Sequence, residues 1–342
     1  MKEYLEKLVE EKVYPGCNYA IIYDDKIEIN TIGNKSLIPN VEKNSLDTLY
    51  DIASLTKIIV TTTIITKLLQ QNKISLEDKV CQYLDRFKYE NITLFHLLTH
   101  TSGLVSDVNW EVVNNKEELI DFFYNKELVY ETGSEILYSD INFILLGFII
   151  EKIYNNTLDK IAKKEVFNPL NMKNTSYLPK NKELCAPTEV TEKRGVVKGI
   201  VHDEKTCMLG GVCGASGVFS NIYDLVNFAK MVLNNGIFNG KVFIEKKYID
   251  LWSTPLVKGE IKRSIGFVVG HSRTAGKLCS EQTISHTGFT GTTLVIDRKR
   301  KIAFIQLSNR IHPTRKNELL LDKRGPIMDE IVLRFDKIKT GV

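Results

Sequence analysis

Apolar and polar positions fall into three regimes along the chain. Two short apolar runs, 17–23 and 27–32, flank Asp24-Asp25-Lys26 and predict an N-terminal β-hairpin. From about residue 54 to 171 the period turns helical. The stretch 54–71 carries Ile58, Ile59, Ile65, Leu68 and Leu69 with no Gly or Pro, which predicts an α-helix. The stretch 140–154 is apolar nearly all round and predicts a buried helix. A third helix, 157–167, is expected to stop before Asn168-Pro169. The charged stretch 179–199 has little periodicity and reads as an irregular loop. Past the Gly-rich segment 210–217, Ser220 is the expected cap of a helix running to about Asn234. Strand signals return at 264–270, 291–296 and 302–307, and an amphipathic helix over about 321–335 closes the chain. Strands at both ends with helices between them predict an α/β (α+β) fold, one sheet assembled from both termini with a helical region inserted. No internal repeat interrupts this order.

Composition narrows the class. Hydrophobic residues make up 43% and charged residues 26%, ordinary for a globular chain and unlike a disordered or fibrous one. The balance of 46 basic against 42 acidic residues is too even to suggest nucleic-acid binding. The basic cluster Arg298-Lys299-Arg300-Lys301 lies between two apolar runs and reads as a solvated hairpin turn. The N-terminus is charged and lacks an apolar signal segment. The longest apolar run, 143–150, is less than half of the ~20 residues a membrane span requires. Cys17, Cys81, Cys185, Cys207, Cys213 and Cys279 are scattered, with neither C-x-x-C pairs nor histidine spacing for zinc. Reduced, buried thiols in a cytoplasmic protein are the expectation, with association with the cell envelope as the alternative.

Candidate chemistry begins with Ser54-Leu55-Thr56-Lys57, where a helix should start. Residues three apart share a helical face, so Lys57 stands one turn above the Ser54 hydroxyl. A serine hydroxyl needs a base, which a buried lysine of depressed pKa supplies, and a helix N-terminus favours the developing oxyanion. The bland alternative is that Ser54 is an N-cap and Lys57 a surface residue. Tyr138-Ser139-Asp140 follows just before the buried helix. A phenol beside an ammonium can shuttle protons, although an isolated tyrosine there would more often simply pack. His286-Thr287-Gly288-Phe289 comes third, on a candidate strand ahead of Gly291. Its glycine lets a substrate approach a strand edge, where Thr and His side chains meet a carboxylate. A lone histidine beside glycine usually marks no more than a turn.

Taken in that order, S-x-x-K, Y-S-D and H-T-G are spaced by about 80 and about 150 residues, and the chain resembles the class C β-lactamases, D-Ala-D-Ala peptidases and related serine esterases. Residues 97–104, 168–172 and 217–220 running into Asp224-Leu225 resemble the same group, so the likeness extends from Pro15-Gly16 to about Arg315. The resemblance implies Ser54 as the acylated nucleophile, Lys57 as its partner and Tyr138 as the general base. It implies Asp140, His286, Thr287, Gly288 and Phe289 as substrate-binding, with the Ser54 and Phe289 N–H groups forming an oxyanion hole. Two departures stand out. Asp140 replaces a common Asn and, ionised, donates no hydrogen bond; His286 replaces the permanent charge of Lys with a titratable one. Both fit esterases and peptidases better than efficient β-lactamases. By the same resemblance Arg315 is either a cation for a substrate carboxylate or part of a structural salt bridge. His202 either borders the site or is an ordinary loop histidine, and His100 reads as structural.

The resemblance then implies an antiparallel sheet flanked by helices, over about 1–61 and 215–342, with an all-helical insertion over about 62–214 and the site in the seam. The expected reaction is acyl transfer through a Ser54 ester, with no metal or organic cofactor required. The preferred substrate is an amide of cell-wall-derived peptides or muropeptides. Small esters, slow β-lactam hydrolysis, and a penicillin-acylated sensor or silent binding module are the alternatives, with β-lactams as candidate covalent ligands.

Overall fold

Strand Gly16–Tyr23 is buried along its whole length, and its side chains alternate between two separate cores. Tyr19, Ile21 and Tyr23 join Leu5, Leu8, Ile327 and Ile331 from the terminal helices, whereas Ala20 and Ile22 join the main core with Leu225 and Phe228. A sheet covered on both faces gives continuous apolar runs rather than alternation, which is the pattern of residues 17–23 and 302–307. The structure is a computed structural model and describes residues 1–24, 26–108 and 113–340. Asp25, in the expected hairpin turn, lies outside the described residues, but the strands on either side pair antiparallel from Gly16↔Gly33 to Tyr23↔Lys26.

The sheet has seven antiparallel strands in the order Val268–Val269, Thr283–Thr287, Thr293–Asp297, Ile302–Ser308, Gly16–Tyr23, Lys26–Ser36 and Glu42–Lys43. Helices Lys2–Glu10 and Arg324–Thr340 supply apolar residues to one face, and helix Ile222–Leu233 covers the other. Between the two sequence contributions to the sheet lie helices Thr63–Gln70, Leu94–Thr99, Lys116–Asn125, Asp140–Tyr154 and Leu158–Ala162. Among the described residues no helix is long and apolar enough to cross a membrane.

Several local expectations are corrected. The segment Lys57–Thr62 is π-helical before the α-helix Thr63–Gln70, a widening that the apolar period does not distinguish from a regular α-helix. Asn221, not Ser220, caps helix Ile222–Leu233, because its side chain reaches the Asp224 N–H. Ser220 is drawn instead into strand Val218–Ser220 and pairs with Thr175. Of the expected strand 264–270 only Val268–Val269 pairs, since the Gly266 N–H is diverted to the Leu98 carbonyl. Residues 298–301 do form the turn, but Arg298 is not solvated: its side chain is 9% exposed and lies 2.7 Å from Asp250.

Candidate active site

Ser54 follows a tight turn whose backbone is held from two sides. Asp51 accepts from the Ala53 N–H at 2.9 Å and the His202 N–H at 2.8 Å, and Ala53 takes a left-handed φ of 46°. Thr290 and Thr292 hydroxyls donate to the Asp51 and Ile52 carbonyls, binding this turn to the end of strand Thr283–Thr287. Gly288 is required at that contact: a Cβ there would lie 2.1 Å from Thr292 Oγ1 and 2.6 Å from the Ile52 carbonyl. Sheet and nucleophile turn are therefore in register without a side chain between them.

Lys57 is fully buried, and its ammonium has three acceptors: Ser54 Oγ at 2.9 Å, Asp140 Oδ1 at 2.7 Å and the Ala215 carbonyl at 2.9 Å. The Gly-rich segment delivers that carbonyl because Gly214 packs on helix Asp140–Tyr154, where a Cβ would meet the Phe143 carbonyl at 2.2 Å. Burial alone would depress the lysine, but Asp140 and Tyr138 outweigh it and hold Lys57 well above the usual lysine range. The expected lysine of depressed pKa is thereby corrected: Lys57 is a fixed cation. Asp140 in turn lies 3.7 Å from the buried Lys205, which also pairs with Asp107 and Asp203 at 2.8 Å each.

Tyr138 is set between rings and charges. Its ring lies 4.6 Å from His100 and 6.1 Å from His286, with Lys57 Nζ 5.2 Å and the Arg263 guanidinium 5.5 Å from its centroid. His100 Nδ1 accepts from the Ser139 N–H, and burial keeps this histidine neutral far below its ordinary range. It packs against the Tyr138 ring.

The remaining expected residues divide between two cavities that share Tyr138. Ser54, Tyr138, Asp140, Phe289 and Arg315 line one of about 260 Å3; His286 and Thr287 line another of about 250 Å3. The N–H groups of Ser54 and Phe289 have no acceptor among the described residues. His286 differs from expectation. Burial, with Lys57 and Arg263 nearby, pushes it down to about 3, so it is neutral near pH 7 and not a cation for an anionic substrate. Its Nδ1 lies 2.9 Å from the Thr287 carbonyl, which can only accept, so the proton sits on Nδ1.

Arg315 is committed to the salt-bridge alternative. Its guanidinium bonds to Glu189 at 2.7 Å and to Glu204. Burial opposes the Glu189 charge, yet hydrogen bonds from His202 and Arg315 hold that carboxyl down at about 2. His202, stacked on Phe289 at 5.6 Å, borders the cavity as part of this cluster. Sequence reasoning passed over Lys205, Asp107, Glu189 and Arg263. Lys205 had a signal, being three residues past the singled-out His202; Arg263 had none, standing beside Lys262 in a polar stretch.

A serine touched by a buried ammonium, beside a tyrosine and two unpaired N–H groups, is the apparatus for acyl transfer. A family model described as Beta-lactamase matches residues 1–324. The chain belongs to the beta-lactamase family. Members of this group are serine hydrolases: carboxypeptidases, β-lactamases and esterases. A protein of Escherichia coli O157:H7 assigned as a D-alanyl-D-alanine carboxypeptidase is 29% identical, covering 87% of this chain and 79% of its own. The fold is shared with a beta-lactamase/D-alanine carboxypeptidase from Pseudomonas syringae (TM-score 0.75, 19% identity, 95% of this chain and 97% of that one). It is also shared with EstCE1, a hydrolase with promiscuous acyltransferase activity (TM-score 0.76, 16% identity, 94% and 96%).

Proposed function

We propose that Ser54 is acylated by an amide of cell-wall-derived peptides or muropeptides and that the ester is then hydrolysed. The observation that carries this reading is the Lys57 ammonium 2.9 Å from Ser54 Oγ with both its other acceptors filled. A lysine already holding three protons cannot take the serine proton, so in this reading Tyr138 enters as its phenolate beside the Lys57 ammonium and takes the proton, becoming the phenol, as Ser54 attacks the carbonyl. The carbonyl oxygen becomes an oxyanion facing the Ser54 and Phe289 N–H groups. The C–N bond breaks as Tyr138 returns the proton to the leaving amine. Water then attacks the ester, giving its proton to Tyr138, and Ser54 is released with that proton. Thr287 and Gly288 shape the strand edge along which the substrate lies, and Asp140 holds Lys57 charged.

The peptide reading is supported by relatives assigned as D-alanyl-D-alanine carboxypeptidases. Small esters are the second reading, because Asp140 offers no N–H to an amide carbonyl, and β-lactams are candidate covalent ligands. Six free thiols, four of them buried, support a reducing, cytoplasmic setting, which cell fractionation tests. Product release from an acyl-D-Ala-D-Ala peptide and from p-nitrophenyl acetate, each with wild type and Ser54→Ala, tests the function. Peptide turnover lost in Ser54→Ala supports it; ester turnover alone favours the second reading.

A further inference from the structure

Lys205 is 3% exposed, yet it lines the cavity that contains Ser54. Two carboxylates fix it there. Asp203 caps the short helix Glu204–Met208 by accepting from the Thr206 N–H at 2.7 Å, and it holds the Lys205 ammonium at 2.8 Å. Asp107 holds the same ammonium at 2.8 Å. Burial opposes the charge, but Asp203, Asp140 and Asp107 outweigh it and keep Lys205 well above the usual lysine range. An ammonium has three N–H donors, and two are spent on these carboxylates. The third has no acceptor among the described residues, because Asp140 Oδ2, at 3.7 Å, lies beyond hydrogen-bond reach. A buried donor left unmet is costly, and this one borders the space that a substrate enters.

Charge limits what meets that donor. Asp107, Asp140 and Asp203 set three carboxylates around one ammonium, so an anion is repelled, and a cation offers no acceptor. A neutral oxygen is the group that fits. Other donors on the cavity wall are taken: Arg315 by Glu189 and Glu204, His202 by Glu189, and Ser216 by Thr206. We infer that Lys205 donates a hydrogen bond to a second carbonyl oxygen of the substrate, one that is not attacked, and that the enzyme selects acyl groups carrying an amide carbonyl close to the reacting one. This rests on the hydrolase reading above and bears on its choice between peptides and small esters, because Lys205 supplies the N–H that Asp140 lacks. The acyl side follows from the cavities. The acyl group stays bonded to Ser54 after the leaving group has gone, and Ser54 lines the cavity of Lys205, not that of His286. In a space of about 260 Å3 both residues lie within reach of one short acyl group.

The test compares the p-nitrophenyl esters of N-acetylglycine and of pentanoic acid, using wild type, Lys205→Met and Lys205→Gln. The two esters share a leaving group and a chain length, and only the first has a second carbonyl. Their intrinsic reactivities cancel when variants are compared. In Lys205→Met the ratio of kcat/KM for the N-acetylglycyl ester to that for the pentanoyl ester should fall by about tenfold to a hundredfold, the usual weight of a hydrogen bond to a charged group. Lys205→Gln keeps a neutral N–H and should lose less of the ratio. Breaking the pairs with Asp107 and Asp203 slows both esters alike, so the ratio is the quantity that reads the carbonyl. An unchanged ratio in Lys205→Met overturns the inference. If Lys205→Met does not fold, Lys205→Gln decides, a lowered ratio supporting the inference and the wild-type ratio overturning it. If wild type turns over neither ester, the hydrolase reading fails by itself. The donor is then read from binding of N-acetylglycinamide to Ser54→Ala, which should weaken by the same factor when Lys205→Met is added. Equal affinity with and without Lys205 overturns it.

Discussion

The Asp140 carboxylate lies 2.7 Å from the Lys57 ammonium, and this pair sets the electrostatics of the whole site. Lys57 is fully buried, which by itself lowers its pKa; Asp140, with Tyr138, reverses that balance. An asparagine there would leave the lysine with neutral acceptors alone: the Ser54 hydroxyl, the Ala215 carbonyl and the amide oxygen. In this chain a carboxylate takes that place, and the buried Lys205 stands 3.7 Å from it on the far side.

Asp140→Asn should therefore bring Lys57 down. The folded-state value is raised, so the pair's contribution is fully present below the ordinary lysine pKa of about 10.5 and fades only as pH rises through the folded value. At pH 7 the variant should lose stability, by less than the roughly 3–5 kcal/mol typical of a broken, fully buried pair, because Asp140 is partly exposed. The alkaline limb of its kcat/KM profile should move to lower pH. A profile superimposable on wild type would mean that Asp140 does not hold the lysine charged.

His286 should not titrate near neutrality. Its folded value of about 3 lies below the ordinary 6.5, so the unfolded chain binds more protons between those two values. Stability should fall as pH drops from about 6.5 toward 3, by up to roughly 1.4 kcal/mol per pH unit from this residue. His286→Gln should flatten that slope. Proton NMR of the folded protein should show no imidazole transition for His286 between pH 5 and 8, and finding one there contradicts the burial argument.

Arg315→Met should act on the Glu189 cluster before it acts on substrate. Glu189 is held at about 2, so its pairing stabilises above about pH 4.5 and is lost as pH falls toward 2. Removing Arg315 should lower Tm at pH 7 and lessen this dependence, while KM rises alike for charged and neutral substrates. A KM effect confined to carboxylate-bearing substrates would restore Arg315 as the substrate's cation.

Tyr138→Phe keeps the ring against His100 and removes only the hydroxyl. It should fold as wild type does and lose about a hundredfold or more in kcat, the usual size of a proton-transfer contribution. Near-normal turnover would leave Tyr138 with packing alone.

The centre of the sheet was legible because strands Gly16–Tyr23, Thr293–Asp297 and Ile302–Ser308 carry largely apolar runs in a sequence otherwise of helical period. The Ser54/Lys57 pair and Tyr138, far from it in the chain, were singled out by the order of their motifs, and the structure brings them together. What stayed hidden depends on neighbours distant in sequence. His286 reads as a histidine near 6.5 until Lys57 and Arg263 are placed beside it and water is removed. Arg298 and Arg263 both sit in polar stretches that look solvated; tertiary packing buries each, one against Asp250 and the other with no acid paired to it among the described residues. Ser220 and Asn221 are adjacent candidates for one cap, and only the pairing of Ser220 with Thr175 decides between them.

The central claim is that Ser54 carries the acyl group, and intact-protein mass spectrometry after exposure to a penicillin or a fluorophosphonate tests it most directly. The account predicts a single adduct on wild type, mapping by peptide digestion to Ser54, and no adduct on Ser54→Ala. An adduct of equal yield on Ser54→Ala, or one mapping to another residue in wild type, would contradict it.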